Sequence, residues 1–330
     1  MREQGGRWIL NLQMLARSIP QLLSDGLALG FVYAIVALGY TMVYGILEFI
    51  NFAHSELFMF GAFAGTEILL LLKSMGILNN MSPTVALLIS MLVAMILSGS
   101  LGVAVDRIAY KPVRSAPKLV PFISAIGVSF ILQDVVRMVE VAKNGNFYLY
   151  APTLFKNRIQ ITETMVIPEK TFYIVGICLV IMIVLQLFVS RNKWGKAMRA
   201  VAQDRETAKL MGINVDKVIS LTFLIGAGMG GAAGTLFSIQ YGSISPYSGF
   251  ILGMKAFTAA VFGGIGKIPG AMLGGVLLGL IEMFGAAFLG ALTGGVFGSE
   301  YKDVLAFAIL ILILIFKPSG LLGKPVGEKV

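Results

Sequence analysis

Nine apolar blocks, most of them close to 20 residues long, fix the solvent in which this chain can fold. They fall at about 26–46, 54–73, 83–107, 119–141, 171–190, 217–240, 251–268, 270–290 and 302–316. A helix rises about 1.5 Å per residue, so roughly 20 apolar residues span the ~30 Å hydrocarbon layer of a bilayer. A chain that is 57% hydrophobic and only 13% charged lies well outside the composition of soluble domains, which excludes an ordinary soluble fold. The expected fold class is all-α, a polytopic membrane helical bundle of about eight or nine transmembrane helices. The block at 251–268 sets the range, because Lys255 and the run Gly263-Gly264-Ile265-Gly266-Lys267-Ile268-Pro269-Gly270 interrupt it. Interruptions of that kind mark broken or re-entrant segments that line a cavity.

Residues 1–25 read as an N-terminal interfacial segment. Arg7 and Arg17 flank Trp8, Leu12 and Leu15, a pattern for a helix lying along the membrane surface. The first long apolar run exceeds a signal peptide and has no clear small-residue cleavage site after it, so the mature chain is expected to keep it. Residues 26–316 form one transmembrane domain and 317–330 a tail. The lone cysteine, Cys178, lies inside an apolar block and excludes a disulfide framework.

The basic excess, 26 Lys and Arg against 17 Asp and Glu, suggests nucleic acid only until its placement is considered. Arg107, Lys111, Arg114 and Lys118 crowd one short loop. Arg191, Lys193, Lys196, Arg199, Arg205, Lys209 and Lys217 occupy 191–217, and Lys317, Lys324 and Lys329 the tail. Basic residues collect in cytoplasmic loops, so these three stretches are assigned inside and nucleic acid is dropped as a partner. Two blocks separate the first two loops, which places 142–170, with Glu163 and Glu169, outside. The region 26–63 also parallels 219–264. Each is a small-residue helix, then a polar interruption (Asn51-Phe52-Ala53-His54-Ser55-Glu56; Tyr241-Gly242-Ser243-Ile244-Ser245-Pro246), then another Gly/Ala-rich helix. Entering from opposite faces, the two copies form the pattern of an inverted repeat whose interface holds a substrate path.

The series Gly226, Gly230, Gly234 and Gly270, Gly274, Gly275, Gly279 reads as close helix packing. His54, the only histidine, has no second His or Cys near it to complete a metal site, and structural placement is favoured. Ser55 is expected to cap the helix that follows. Glu67 and Glu282 sit inside apolar blocks, where a carboxylate faces a partner or a cavity. Asp134 and Arg137 are spaced to pair. Within 191–217 a short amphipathic helix after Gly195 would place Met198, Val201, Ala202 and Ala208 on one face. Gly212 suits its C-terminal turn, and Asn214 or Asp216 would cap the next membrane helix. Orientation alone does not require so elaborate a loop; such a surface suits docking by a cytosolic partner. No P-loop, Gly-x-Ser-x-Gly or metalloprotease motif is present, so neither ATP hydrolysis nor membrane-enzyme chemistry is expected of this chain.

The residues Ala34-Ile35-Val36-Ala37-Leu38-Gly39-Tyr40-Thr41-Met42-Val43-Tyr44-Gly45-Ile46 and Ile50-Asn51-Phe52-Ala53-His54-Ser55-Glu56 resemble the first membrane region of LivH-type permeases of branched-chain amino-acid ABC importers. Arg107 to Arg114 with Ile123 to Ser129, Ala200 to Asp204 with Met211 to Asn214, Phe257 to Gly266 with Pro269-Gly270, and Phe316 to Gly323 agree in order along nearly the whole chain. The family pattern has Gly where Ser55 stands. The resemblance implies a permease subunit of the bacterial inner membrane with a cytoplasmic C-terminus. Its implied partners are a homologous second permease, two cytosolic ATPase subunits that hold ATP and Mg, and an extracytoplasmic substrate-binding protein; the chain itself carries no cofactor and no metal. It also implies path-lining roles for Asn51, Phe52, His54, Ser55, Glu56, Gly263, Gly264 and Gly266. Coupling to the ATPases falls to Met198, Val201, Ala202, Asp204, Arg205, Ala208, Met211 and Gly212. A proton-coupled carrier using Glu67 or Glu282, a passive channel, and permeases for urea, short amides or other amino acids are the competing readings.

Overall fold

The computed structural model describes residues 2–323 apart from 48, 50, 118, 163 and 164, and the backbone alone for 2–17. Lys118, Glu163, Lys324, Lys329 and the side chains of Arg2, Arg7, Trp8, Leu12, Leu15 and Arg17 therefore lie outside the described residues. Among those described, the chain forms helices α1 (Arg2–Leu47), α2 (Ala53–Ser74), α3 (Pro83–Val105), α4 (Leu119–Asn144), α5 (Glu169–Arg191), α6 (Lys193–Gln203), α7 (Arg205–Leu210), α8 (Val215–Tyr241), α9 (Ser248–Gly263), α10 (Ile268–Leu292) and α11 (Lys302–Phe316). Seven are long and apolar enough to cross a membrane. The blocks at 251–268 and 302–316 form the shorter α9 and α11, of 16 and 15 residues. Each of the nine apolar blocks thus has its helix. The backbone of α1 is continuous from Arg2 to Leu47, through Pro20, so the first apolar block and residues before it share one helix.

Local chemistry sets the ends. Ser82 caps α3, its Oγ accepting from the Val85 amide at 3.3 Å, with Pro83 at the first helical position. Asn214 caps α8 by accepting from Lys217 N at 3.0 Å, and α8 stops at Gly242, whose φ of 77° is the left-handed conformation that favours glycine. Past its last α-helical turn α3 widens into a π-helical turn, Asp106–Tyr110. Pro112 follows, and its missing N–H removes the donor that would continue the α ladder. Ser55 is not the cap of α2. The helix begins at Ala53, and Ser55 Oγ instead donates to the Phe52 carbonyl at 2.6 Å.

α1 packs against α10 as α8 packs against α3, α2 against α8 as α9 against α1, and α2 against α3 as α9 against α10. Exchanging α1-α2-α3 for α8-α9-α10 therefore preserves the neighbours. α1 and α8 run antiparallel: Gly39 of α1 meets Gly226 of α8, and Ile46 near the C-terminus of α1 meets Arg205, which precedes α8. This is the arrangement of an inverted repeat. Glycine makes it possible. A Cβ on Gly30 would stand 2.7 Å from the Val276 carbonyl oxygen, and one on Gly231 would stand 2.6 Å from that of Ala94. Without a hydrophobic force between helices in lipid, such close backbone approach is what holds them.

The faces follow from contacts between loops. Arg114 joins Asp106 at 2.5 Å and Asp216 at 2.9 Å, and Lys111 also reaches Asp216 at 2.9 Å. This places the 106–117 loop beside the start of α8. The segment 320–323 folds onto the turn after α9, with Leu321 N donating to Phe262 O at 2.8 Å and Leu322 N to Gly263 O at 3.0 Å. On the opposite face β1 (Leu149–Tyr150) pairs with β4 (Ser243–Ile244), and β2 (Arg158–Thr162) forms a hairpin with β3 (Met165–Pro168). α4 and α5 turn Phe130, Ile131, Met138, Val180 and Ile183 outward, as a lipid-covered face requires.

Candidate functional site

The two helix interruptions meet inside the bundle. α2 starts directly after the first, α9 after the second, and their opening turns touch. A Cβ on Gly249 would stand 2.8 Å from the Ser55 carbonyl oxygen and 2.7 Å from Glu56 Oε2, and one on Gly253 would stand 3.0 Å from the Tyr40 hydroxyl. Asn51, His54, Ser55 and Glu56 are all buried here, Glu56 completely. Asn51 Oδ1 accepts from the Tyr110 hydroxyl at 2.5 Å, the π-helical turn having carried Tyr110 inward. Phe52 packs edge-on against Phe122, ring centroids 5.5 Å apart. His54 stands edge-on to Tyr40 at 4.7 Å and fills the space left by the missing side chain of Gly39. That is a packing role, and among the described residues no cluster of three or more metal-ligating side chains is present.

The other three path candidates lie elsewhere. Gly263 abuts Gly270 at the α9–α10 turn, and a Cβ on Gly264, at φ 103°, would stand 2.6 Å from Gly323 N. Both glycines clamp the turn to the 320–323 segment. Gly266, at φ 86°, borders a cavity of about 80 Å³ lined also by Thr41, Met42, Met198 and Thr222. Small-molecule pockets begin at roughly 300 Å³, so no amino acid fits there in this conformation.

The 191–217 segment forms two helices rather than one. Asp204 ends α6 and caps α7, accepting from the amides of Glu206 at 2.9 Å and Thr207 at 3.1 Å and from the Thr207 hydroxyl at 2.6 Å. These bonds, the Thr207 hydroxyl first, hold its carboxyl below the usual carboxylate range. α7 ends at Gly212, φ 82°, with Ile213 N donating to Ala208 O at 3.0 Å. Met198, Val201 and Ala208 face inward and are buried, as their spacing predicts, whereas Ala202 is exposed. The inward face packs on the permease body, so it is not available to a partner; the outward one carries Leu210, 87% exposed, and Met211, 78% exposed. Two open hollows, of about 580 and 440 Å³, flank α7. Arg205 donates from Nε to the Ile46 carbonyl at 3.0 Å, and from Nη2 as well, fastening α7 to the end of α1 beside the first interruption.

Glu67 and Glu282, the two carboxylates singled out inside the apolar blocks, are both paired with cations. Glu67 pairs with Lys143. Glu282, 2% exposed, accepts from Tyr33 Oη at 2.7 Å and stands 2.9 Å from both Lys255 Nζ and Lys302 Nζ. Lys255 Nζ also lies 2.7 Å from Asp303 Oδ1, an ion-pair contact without hydrogen-bond alignment. Asp134 and Arg137 pair at 3.0 Å. Tyr40, Tyr110 and Ser129, which lie in the matching stretches, and Gly249 and Gly253 were given no role in the site by the sequence reading. Only the four-residue spacing of Gly249 and Gly253 hinted at a close approach, and nothing local points at the tyrosines.

The chain is similar along nearly its full length to known permeases. It is 44% identical to the high-affinity branched-chain amino acid transport system permease protein BraD of Pseudomonas aeruginosa, over 94% of this chain and 97% of that protein. It is 42% identical to the corresponding LivH of Escherichia coli, over the same shares. A 156-residue stretch is 31% identical to LivM, a permease protein of the same kind of system in Salmonella typhimurium, covering 46% of this chain and 33% of LivM. Residues 22–314 match the family described as branched-chain amino acid transport system / permease component. With a multi-pass helical bundle, an inverted pair of interrupted helices and this match over most of its length, the chain belongs to the branched-chain amino acid transport system permease family.

Proposed function

We propose that this chain is one of two membrane-spanning subunits of an ATP-driven importer of branched-chain amino acids in a bacterial inner membrane. The family match over residues 22–314, with 44% identity to BraD, carries the reading. The second permease would be a homologue of the LivM kind, two cytosolic ATPases would hold ATP and Mg, and an extracytoplasmic binding protein would deliver the substrate. The face bearing the 106–117 loop, α6, α7 and residues 317–323 is cytoplasmic in this reading, because the basic residues concentrate there.

The residues supply a physical route for coupling. ATP-driven closure of the partners moves α7 through its exposed Leu210 and Met211. Arg205 passes that movement to Ile46 and the end of α1, next to Asn51 and the start of α2. The glycine-lined contacts of α1, α2, α8 and α10 let the two repeats rock about the interruptions, so that the junction at Asn51 to Glu56 opens first to one side and then to the other. The test is leucine uptake by proteoliposomes holding all partners. Uptake requiring ATP and the binding protein is expected; uptake driven by a proton gradient with the ATPases omitted would overturn the reading.

A further inference from the structure

Two buried carboxylates in this bundle are treated very differently. Glu282 has two lysines and a tyrosine around it. Glu56 is less exposed still, at 0%, and among the described residues no Lys or Arg pairs with it. Its Oε1 lies 3.1 Å from the Ser129 hydroxyl, which donates to it, and 3.5 Å from Ser55 Oγ. The Ser55 hydrogen is already committed to the Phe52 carbonyl at 2.6 Å, so Ser129 is the one effective donor. Oε2 has no hydrogen-bond partner and lies 2.7 Å from where a Cβ on Gly249 would stand. Uncompensated buried charge is costly, and in a membrane helix it marks a functional group.

The surroundings define what would complete it. Gly249 leaves the opening turn of α9 without a side chain beside Glu56, and Gly253 leaves the next without one beside Ser55 and Tyr40. Tyr247, at the head of α9, makes no side-chain cap, and Ser248 N is taken by the Ser245 carbonyl at 3.0 Å, so the donors left at that helix start are the amides of Gly249 and Phe250. An acceptor-only carboxylate and a set of uncapped amide donors thus share one junction. An ammonium has three donors and no acceptor, and a carboxylate is the reverse. A free α-amino acid carries both on adjacent atoms. With α2 and α9 in contact, the N-terminal end of α9 lends its dipole to Glu56; a zwitterion entering there would put its ammonium on Oε2 and its own carboxylate on the α9 amides. A metal ion fits less well, since among the described residues Glu56 belongs to no group of three or more His, Cys, Asp or Glu side chains.

We propose that Glu56 is the ammonium-binding residue of the translocation path, working with Ser129 and the uncapped start of α9 to pass a zwitterionic amino acid between the two interrupted helices. This rests on the amino-acid importer reading above.

The test compares Glu56→Gln with Glu56→Asp in the complete four-component importer, with leucine uptake expressed per assembled complex. A cation-binding role needs the charge, so Glu56→Gln should lower uptake at least tenfold and Glu56→Asp should keep a larger share than Glu56→Gln. A neutral hydrogen-bonding role needs the length, and uptake by Glu56→Gln equal to or above that of Glu56→Asp would overturn the proposal. If neither assembles, Gly249→Ala decides, because its methyl, 2.7 Å from Oε2, crowds the ammonium's place without altering the charge of Glu56; uptake is again expressed per assembled complex, since the methyl also stands 2.8 Å from the Ser55 carbonyl oxygen. Uptake should then fall severalfold, and unchanged uptake would refute the site. If the wild-type complex moves leucine without ATP, the importer reading has failed, a result separate from any ordering of the variants.

Discussion

Replacing Glu282 tests whether buried charge holds the second repeat together. Glu282→Leu removes the acceptor for Tyr33 and the anion 2.9 Å from both Lys255 and Lys302. Breaking a buried pair by deleting one partner costs about 3–5 kcal/mol. Lys255 keeps Asp303 at 2.7 Å, and Lys302 is about a third exposed and turns to water, so the lower end applies, about 3 kcal/mol. At roughly 1.5 °C per kcal/mol for a chain of this size, the apparent melting temperature in detergent should fall by about 4–5 °C. The double variant Glu282→Leu with Lys255→Met removes both inner charges. An ion pair replaced by apolar side chains of similar volume is often neutral or stabilising, so the double variant should return to within about 1 kcal/mol of wild type. Thermal unfolding followed by size-exclusion chromatography reads both. A double variant as unstable as the sum of the two singles would show that these groups do not act as a pair, and would refute the reasoning.

Three further outcomes follow from the packing and the caps. Gly30→Val should separate α1 from α10, because the first added carbon already stands 2.7 Å from the Val276 carbonyl oxygen; overpacking costs about 1–3 kcal/mol, read as lost monodisperse yield. Leu210→Asp or Met211→Asp should abolish co-purification of the ATPases while leaving the permease folded. Val201→Asp, 1% exposed, should instead damage the permease itself, and co-purification unaffected by the first two would count against docking there. The cap of α7 should depend on pH. Because Asp204 is held below the usual carboxylate range, its contribution is fully present above the unfolded value near ~3.9 and is lost as pH falls through the lowered one. Hydrogen-exchange protection factors of residues 205–210, taken against the intrinsic rate at each pH, should therefore be flat from neutral pH down to the ordinary aspartate range and fall only below it, whereas Asp204→Ala should lack that protection throughout.

The helices themselves were legible because lipid imposes so simple a rule. A spanning segment satisfies its backbone internally and shows lipid an apolar surface, so length and hydropathy located all nine blocks, and basic residues located the loops that share a face. The glycine series gave the close-packed faces of α8 and α10, and the polar interruptions gave the two ends of the repeat. The periodicity of 191–217 gave Met198, Val201 and Ala208 as one face, which is buried, but wrongly joined the exposed Ala202 to them. Which face meets a partner was not legible, since burial against the permease body and burial against a second protein leave the same apolar spacing; only the packing of α6 and α7 separates Val201 from Leu210.

For this chain the sequence alone determined the solvent, the membrane blocks and the family and narrowed the cap of α8 to Asn214 or Asp216, all of which depend on local composition and order. Tertiary structure decided which residues meet. Tyr110 reaches Asn51 across 59 positions, Lys255 and Lys302 close on Glu282, and Gly249 comes to rest on Glu56. Those meetings depend on how two antiparallel repeats cross, which no local pattern encodes. They also separate the two acids: both are buried, but crossing helices bring cations to Glu282 and only a bare helix end to Glu56.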